Sequence, residues 1–309
     1  MRSLLDSFHE RRSAQVPMPY LWIVLSVTSA FSLATSDALT KRIITPANEY
    51  VIAWLRIVYS LPALAAALAF TPVPPLDATF TLAFCAALPL EIAAILLYYK
   101  ALRVSPLSLS LPFLSLTPVF LILFSWIIMG EKVSAAGAAG IAFIALGGYG
   151  LNLSSLRTGP LGPLKAVLRE RGSLYMLTVS LIYSATSVLG KLAITHSSPA
   201  FFGATYYLVL AVCLLPVIVF LSGGRRFIAE LKGTARAALL PGAFDAVHSV
   251  THFFAVSMAN VAYMIAIKRS SLLIGSVYGF VLFGERNVRE RLIGSLLMFA
   301  GFIMIVVYG

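Results

Sequence analysis

The sequence predicts an all-α membrane protein of ten transmembrane helices, arranged as two inverted five-helix repeats. Three observations lead there. Hydrophobic residues make up 60% of the 309 and charged ones 11%, and a mean hydropathy of +0.92 is too high for a chain with a polar exterior. Apolar runs of about 20 residues, the length that crosses roughly 30 Å of hydrocarbon, take up most of the chain and leave no room for a soluble domain. The punctuation between those runs recurs from one half of the chain to the other.

Bounded by Pro, Gly, Asn and charged residues, the spans fall at 20–43, 49–70, 79–101, 106–129, 134–152, 173–195, 200–222, 236–257, 261–283 and 290–309. A tail, 1–19, precedes them. Its Arg2, Arg11 and Arg12 stand before an apolar run with no small-residue cleavage site, so the first span reads as a retained helix and not as a signal peptide. Only two connections are long, 153–172 and 223–235. The first is rich in Pro, Gly and Ser and divides the chain into a first repeat, 20–152, and a second, 173–309. Within it Leu161, Leu164 and Leu168 recur at helical spacing with Lys165 and Arg169 between, the pattern of a short helix lying on the lipid surface; a solvated linker is the alternative.

Gly130-Glu131-Lys132 after span 4 matches Gly284-Glu285-Arg286 after span 9. The same shift of 154 residues carries Gly140 onto Gly294, Gly147 onto Gly301 and Glu91 onto Asp245. Lys41-Arg-Ile-Ile-Thr45 matches Lys191-Leu-Ala-Ile-Thr195 at a shift of 150, as expected when short loops differ in length. With an odd number of spans in each half, the second half enters the membrane in the opposite sense. Inverted repeats of this kind place a transport site at their interface, near the bilayer midplane.

Two five-helix repeats, each with Gly-Glu-Lys/Arg closing its fourth helix and a Gly-spaced fifth helix, resemble the EamA-like branch of the drug/metabolite transporter superfamily over residues 20 to 309. A narrower likeness lies in span 9, where the adjacent Lys268 and Arg269 resemble the ninth-helix Lys-Arg pair with which triose-phosphate translocators hold their substrate phosphate. The resemblance implies a phosphate-like anion as cargo. The acidic and histidine-bearing eighth span departs from those translocators, so triose phosphate itself is not implied.

The net charge of +11 follows topology. Of 23 cations, fourteen lie in odd-numbered loops and four on the opposite face (Arg2, Arg11, Arg12, Lys132), while Arg56, Lys100, Lys191, Lys268 and Arg269 lie within spans. The positive-inside rule then puts both termini outside, whereas the family resemblance implies termini inside. No basic patch is interleaved with aromatics as nucleic-acid binding requires. Cys85 and Cys213 each sit in an apolar run, which supports neither a disulfide framework nor a thiolate metal site; no cofactor is expected.

Charges inside hydrocarbon cost about 2.5 to 3.5 kcal/mol each on insertion scales and normally face a cavity, a counter-charge or a ligand. Lys268 and Arg269, read inside a continuous span, are therefore the expected floor of an anion site. Lys191, near the end of span 6 on the same membrane face as the start of span 9, is expected to join them. In span 8, Asp245, His248 and His252 fall at i, i+3 and i+7 on one helical face. Three readings stand for this set: a proton relay, a structural polar network, and a zinc site that lacks a fourth ligand. Glu91, the repeat-mate of Asp245, puts a second carboxylate across the cavity, and Tyr98 is the mate of His252. Mutual neutralisation of these acids and bases competes with anion binding and would leave a cavity for a neutral solute. Asp37, Lys41 and Arg42 read as interfacial, and Arg56 has no assigned partner. Pro106, Pro112 and Pro118 loosen span 4.

The expected function is secondary transport, not catalysis, of a small anionic metabolite bearing phosphate or phosphonate. Lys268, Arg269, Lys191, Tyr98 and His252 would contact it, and Asp245, Glu91 and His248 would couple protons. The expected setting is the inner (plasma) membrane of a bacterium, as a monomer or homodimer in the lipid bilayer. The alternatives are export of an amino acid or other zwitterion, a membrane-embedded metal enzyme built on the span 8 residues, and a non-transporting accessory subunit.

Overall fold

The computed structural model describes residues 20–44, 48–105, 110–150, 170–284 and 288–308. The tail 1–19, the leucine-spaced part of the 153–172 connection, Pro106, and Glu285-Arg286 lie outside them.

Helix starts are set by short polar side chains that satisfy the otherwise orphaned N–H groups of a first turn. Asn48 caps α2 (Glu49–Ala69) through the Tyr50 N–H, and Asp77 caps α3 (Ala78–Val104) through the Phe80 N–H at 2.8 Å. In the second half Glu170 caps α6 (Arg171–Thr195) and Ser198 caps α7 (Pro199–Leu221), whose Pro at the first position has no N–H to leave unpaired. α1 (Leu21–Ile43) lacks such a cap. α4 (Thr117–Met129) follows a 3₁₀ turn, Leu111–Leu116, and α5 spans Ala135–Gly150. α8 spans Arg225–Met258, α9 Val261–Lys268, α10 Ser271–Phe283 and α11 Val288–Tyr308.

These eleven helices make ten spans, because α9 and α10 share one. Among the described residues six helices are long and apolar enough to cross a membrane by length and composition alone, and no strand is present. The chain is a multi-pass membrane protein.

The two halves pack as an inverted repeat. α1 lies along α8 and its counterpart α6 lies along α3, while α5 lies along α11. At that last seam a Cβ on Gly140 would come 2.8 Å from the Gly301 carbonyl oxygen, and one on Gly147 would come 2.6 Å from that of Gly294. The shift of 154 residues converts one contact into the other, so a pseudo-twofold axis runs between the helices. Glycine is needed here because any side chain would hold the backbones apart. Gly130 and Gly284 stop α4 and α10 in the left-handed conformation, φ +67° and +65°.

Four expectations are corrected. The stretch 223–235 is not a long loop: Gly223 and Gly224 turn the chain at φ +75° and +59°, and α8 begins at once. The polar residues that suggested a connection form an amphipathic extension. It is held by Phe227 against Trp54 (6.1 Å between ring centres), by the Glu230 carboxylate accepting from the Asn48 N–H, and by the Tyr59 hydroxyl donating to the Ala235 carbonyl. Span 9 is not one continuous helix: α9 ends at Lys268, and Arg269 and Ser270 carry the chain through a tight turn of i to i−3 bonds, with the Ser270 N–H on the Ile267 carbonyl at 2.9 Å. Span 4 changes character at the equivalent point, from 3₁₀ turn to α-helix. Pro118 lies in the first turn of α4, where its missing N–H breaks no bond, and so does not loosen that helix. Asp37 is not interfacial but buried within the bundle, 5% exposed.

Candidate functional site: a charged cavity at the repeat crossing

The breaks in spans 4 and 9 meet. The Arg269 guanidinium donates from Nη2 to Thr117 Oγ1 at 2.8 Å, linking the turn between α9 and α10 to the start of α4. Beside this crossing lies a cavity of about 170 Å³, walled by α2, α3, α6, α7, α8 and α9. Every site residue expected from the sequence lines it: Lys268, Arg269, Lys191, Tyr98, His252, Asp245, Glu91 and His248. Asp245, His248 and His252 share one face of α8, as their spacing requires.

The charges in this cavity are unequally compensated. Arg56, without a partner in the sequence reading, bridges two acids: Nη2 reaches Asp245 Oδ1 at 2.5 Å and Nη1 reaches Asp37 Oδ1 at 2.9 Å. Ser60 donates to the other Asp245 oxygen at 3.3 Å, and the Tyr98 hydroxyl donates to Asp37 Oδ2 at 2.5 Å. The guanidinium also lies 5.5 Å from the centre of the Tyr99 ring. Asp245 and Tyr98 are therefore both engaged within the protein.

Lys191 is held as well. Its ammonium lies 2.5 Å from Glu131 Oε1 and donates to the Ala259 carbonyl, while Glu131 Oε2 accepts from the Val261 N–H at 3.2 Å. Lys191 shares the cavity wall with Lys268 and Arg269, but its charge is spent on the first repeat's Glu131. The Gly130 turn that ends α4 is what aims Glu131 at the second repeat.

Lys268 and Arg269 differ from these. Both are buried, at 9% and 3% exposure, and neither has a carboxylate partner among the described residues. Among the described residues Lys268 Nζ has a hydrogen-bond contact with His252 Nδ1 alone, at 3.4 Å, a long one that requires a neutral imidazole as acceptor. Arg269 Nε is buried with no hydrogen-bond partner among the described residues. His252 stacks on His248 with ring centres 5.6 Å apart, and His248 Nδ1 lies 2.8 Å from the Ser29 hydroxyl, so the two imidazoles tie Lys268 to α1. Glu91, half-buried on α3, is hydrogen-bonded by Thr186 and has no ion-pair partner among the described residues. No group of three or more metal-ligating side chains forms among the described residues.

Sequence reasoning missed the Arg56 bridge, the Thr117 contact and the tyrosines Tyr183, Tyr206 and Tyr207 of the cavity wall. Arg56 and Asp37 carried a usable signal, since two opposite charges in adjacent spans each need a partner. Thr117 and the tyrosines carried none, because both residue types are common in spans.

Two inverted repeats enclosing a polar cavity at their crossing define a membrane transporter of small molecules. The EamA-like transporter family matches the chain twice, over residues 20–153 and again over 170–307, and the chain belongs to that family. The match carries the wider family and not the narrower likeness to triose-phosphate translocators. A solved crystal structure superposes with a TM-score of 0.64 at 14% sequence identity, covering 93% of this chain and 99% of its own; at that identity the likeness speaks to the fold alone. No curated protein matches the chain.

Proposed function

We propose that the protein is a secondary transporter of a small anionic metabolite, bearing phosphate or phosphonate, and works by alternating access. The observation that carries this reading is the pair Lys268 and Arg269. Two cations adjacent in sequence are buried at a cavity with no ion pair among the described residues, Glu91 being within electrostatic reach of Lys268 only, although the other buried cations described, Arg56 and Lys191, are each ion-paired. A buried charge without an ion pair is costly, and an anionic ligand with several acceptor oxygens relieves the cost at both residues. The cavity volume of about 170 Å³ admits a small metabolite.

Proteoliposomes loaded with the purified protein test this. Lys268→Ala and Arg269→Ala are expected to abolish uptake of labelled phosphate- and phosphonate-bearing anions while the folded yield in detergent is retained; uptake undiminished by either substitution excludes the site. Protons are the proposed coupling ion, with Glu91, Asp245 and His248 as carriers. Of these Glu91 has no ion pair among the described residues and Asp245 is tied to Arg56, so Glu91→Gln should remove acceleration of uptake by a pH gradient. The proposed setting is a bacterial inner membrane with both termini outside, from the loop cations. A C-terminal fluorescent fusion that glows beside an inactive phosphatase fusion overturns that orientation.

A further inference from the structure

Arg269 Nε is not the only orphaned polar atom at the cavity. The Tyr206 hydroxyl is buried without a hydrogen-bond partner among the described residues, on a residue only 5% exposed that lines the same cavity from α7. Its position is fixed by packing: the ring stacks on Phe202 with centres 4.9 Å apart and meets Phe84 of α3 edge-on at 5.1 Å, while Phe202 meets Phe253 at 5.5 Å. A rigid aromatic clamp that leaves one hydroxyl unpaired is a poor use of tyrosine in a core, since phenylalanine fills the same space without a desolvation cost. Within electrostatic reach of that hydroxyl is Glu91, an acid among the cavity residues with no ion pair among the described residues, facing Thr186. The cavity thus holds two sets of polar groups that lack a full complement of partners among the described residues. Lys268 and Arg269 present cationic donors at the crossing of the broken spans, and Tyr206 and Glu91 lie on the wall made by α3 and α7, with Glu91 also within electrostatic reach of Lys268.

We propose that Tyr206 and Glu91 form a second subsite, which reads a hydroxyl or ammonium group carried beside the charged head of an anionic substrate. The subsite rests on the anion reading above, since it orients a molecule whose charged head is held elsewhere. A carboxyl oxygen accepts from such a group in either protonation state, and a phenol hydroxyl both accepts and donates. The transported class is then a bifunctional metabolite, an anion with a hydrogen-bond donor a few bonds away, and a simple alkyl phosphate or phosphonate is a poorer ligand.

Paired ligands that differ only in the distal group give the test: aminoethylphosphonate against ethylphosphonate, and glycerol phosphate against propyl phosphate, each measured by ligand-induced thermal shift and by competition with uptake. The wild-type protein is expected to favour the donor-bearing member of at least one pair by about three- to tenfold, the worth of one hydrogen bond. Tyr206→Phe is expected to erase that preference and leave binding of the plain member unchanged. Without ligand Tyr206→Phe should unfold no earlier than wild type, because the hydroxyl it removes has no hydrogen-bond partner among the described residues. A preference that survives Tyr206→Phe, or a loss shared equally by both members of each pair, overturns the subsite alone. Absence of binding by every member, together with unchanged transport in Lys268→Ala, overturns the anion reading and the subsite with it.

Discussion

Removing the Arg56 side chain leaves two carboxylates, Asp37 and Asp245, facing each other inside the bundle without their shared cation. Both pairs are nearly dry, with the three side chains between 4% and 9% exposed and oxygen to nitrogen distances of 2.9 and 2.5 Å. Breaking one buried pair by deleting a partner typically costs about 3 to 5 kcal/mol. Here one guanidinium serves two acids, so Arg56→Ala should reach the upper part of that range, about three orders of magnitude in the ratio of folded to unfolded protein. Arg56→Lys keeps the charge but replaces a planar fork of five donors by a single ammonium, and should recover only part of the loss. The triple variant Arg56→Met, Asp37→Asn, Asp245→Asn removes all three charges together and should recover most of it, because a whole buried ionic cluster is often replaceable at little cost. Thermal unfolding in detergent, with fluorescence-detected size exclusion to count folded protein, measures each step. Should Arg56→Ala fold and melt like wild type, the bridge is not the anchor described, and Asp245 returns as an equal candidate with Glu91 for the coupling proton.

Three further outcomes are expected. Lys191→Gln and Glu131→Gln should impair transport alike, with the double substitution no worse than either, giving a coupling energy of about 0.5 to 3 kcal/mol in a double-mutant cycle; a loss of anion affinity confined to Lys191→Gln would instead place that ammonium on the substrate. Gly301→Ala should force α5 and α11 apart and destabilise by about 1 to 3 kcal/mol, because the added carbon meets the Gly140 carbonyl and the Ile144 side chain; an unchanged unfolding temperature refutes the close seam. Outside the membrane, Asp77 caps α3 and contacts His196 Nδ1 at 2.6 Å. The Phe80 N–H above all, and then His196, hold its carboxyl below the ordinary 3.8. A carboxyl that is more acidic in the folded state stabilises above the unfolded value and stops doing so as pH falls through the folded one. Protection factors, the exchange rates corrected for the intrinsic pH dependence of amide exchange, should therefore fall in the first turn of α3 as pH drops below 3.8, and Asp77→Asn, which keeps a capping oxygen, should remove that dependence.

The part of the site legible in the sequence was the part with an energetic signature. A Lys-Arg pair in an apolar run, a carboxylate and two imidazoles at helical spacing, and an acid at the repeat-equivalent position all stand out because charge in hydrocarbon needs a reason, and all of them line one cavity. Their mutual geometry was not legible. Lys191 reads as a member of the cationic cluster from its depth alone, yet the turn at Gly130 brings Glu131 to it. The hydrophobic period also could not distinguish a polar loop from the polar face of a helix at 225–235, where Phe227 and Glu230 find partners on α2 and its cap.

Composition and the repeated Gly-Glu-cation punctuation determine by themselves that this chain crosses the membrane ten times in two inverted halves, because a bilayer admits only apolar helices of fixed length and an odd number of them reverses the sense of entry. Which cations are ion-paired among the described residues was decided only by the tertiary structure. Arg56 and Lys191 look no different in sequence from Lys268 and Arg269, and the difference is a matter of angstroms to a carboxylate on another helix. That distance is set by how the two repeats cross, which no local pattern encodes.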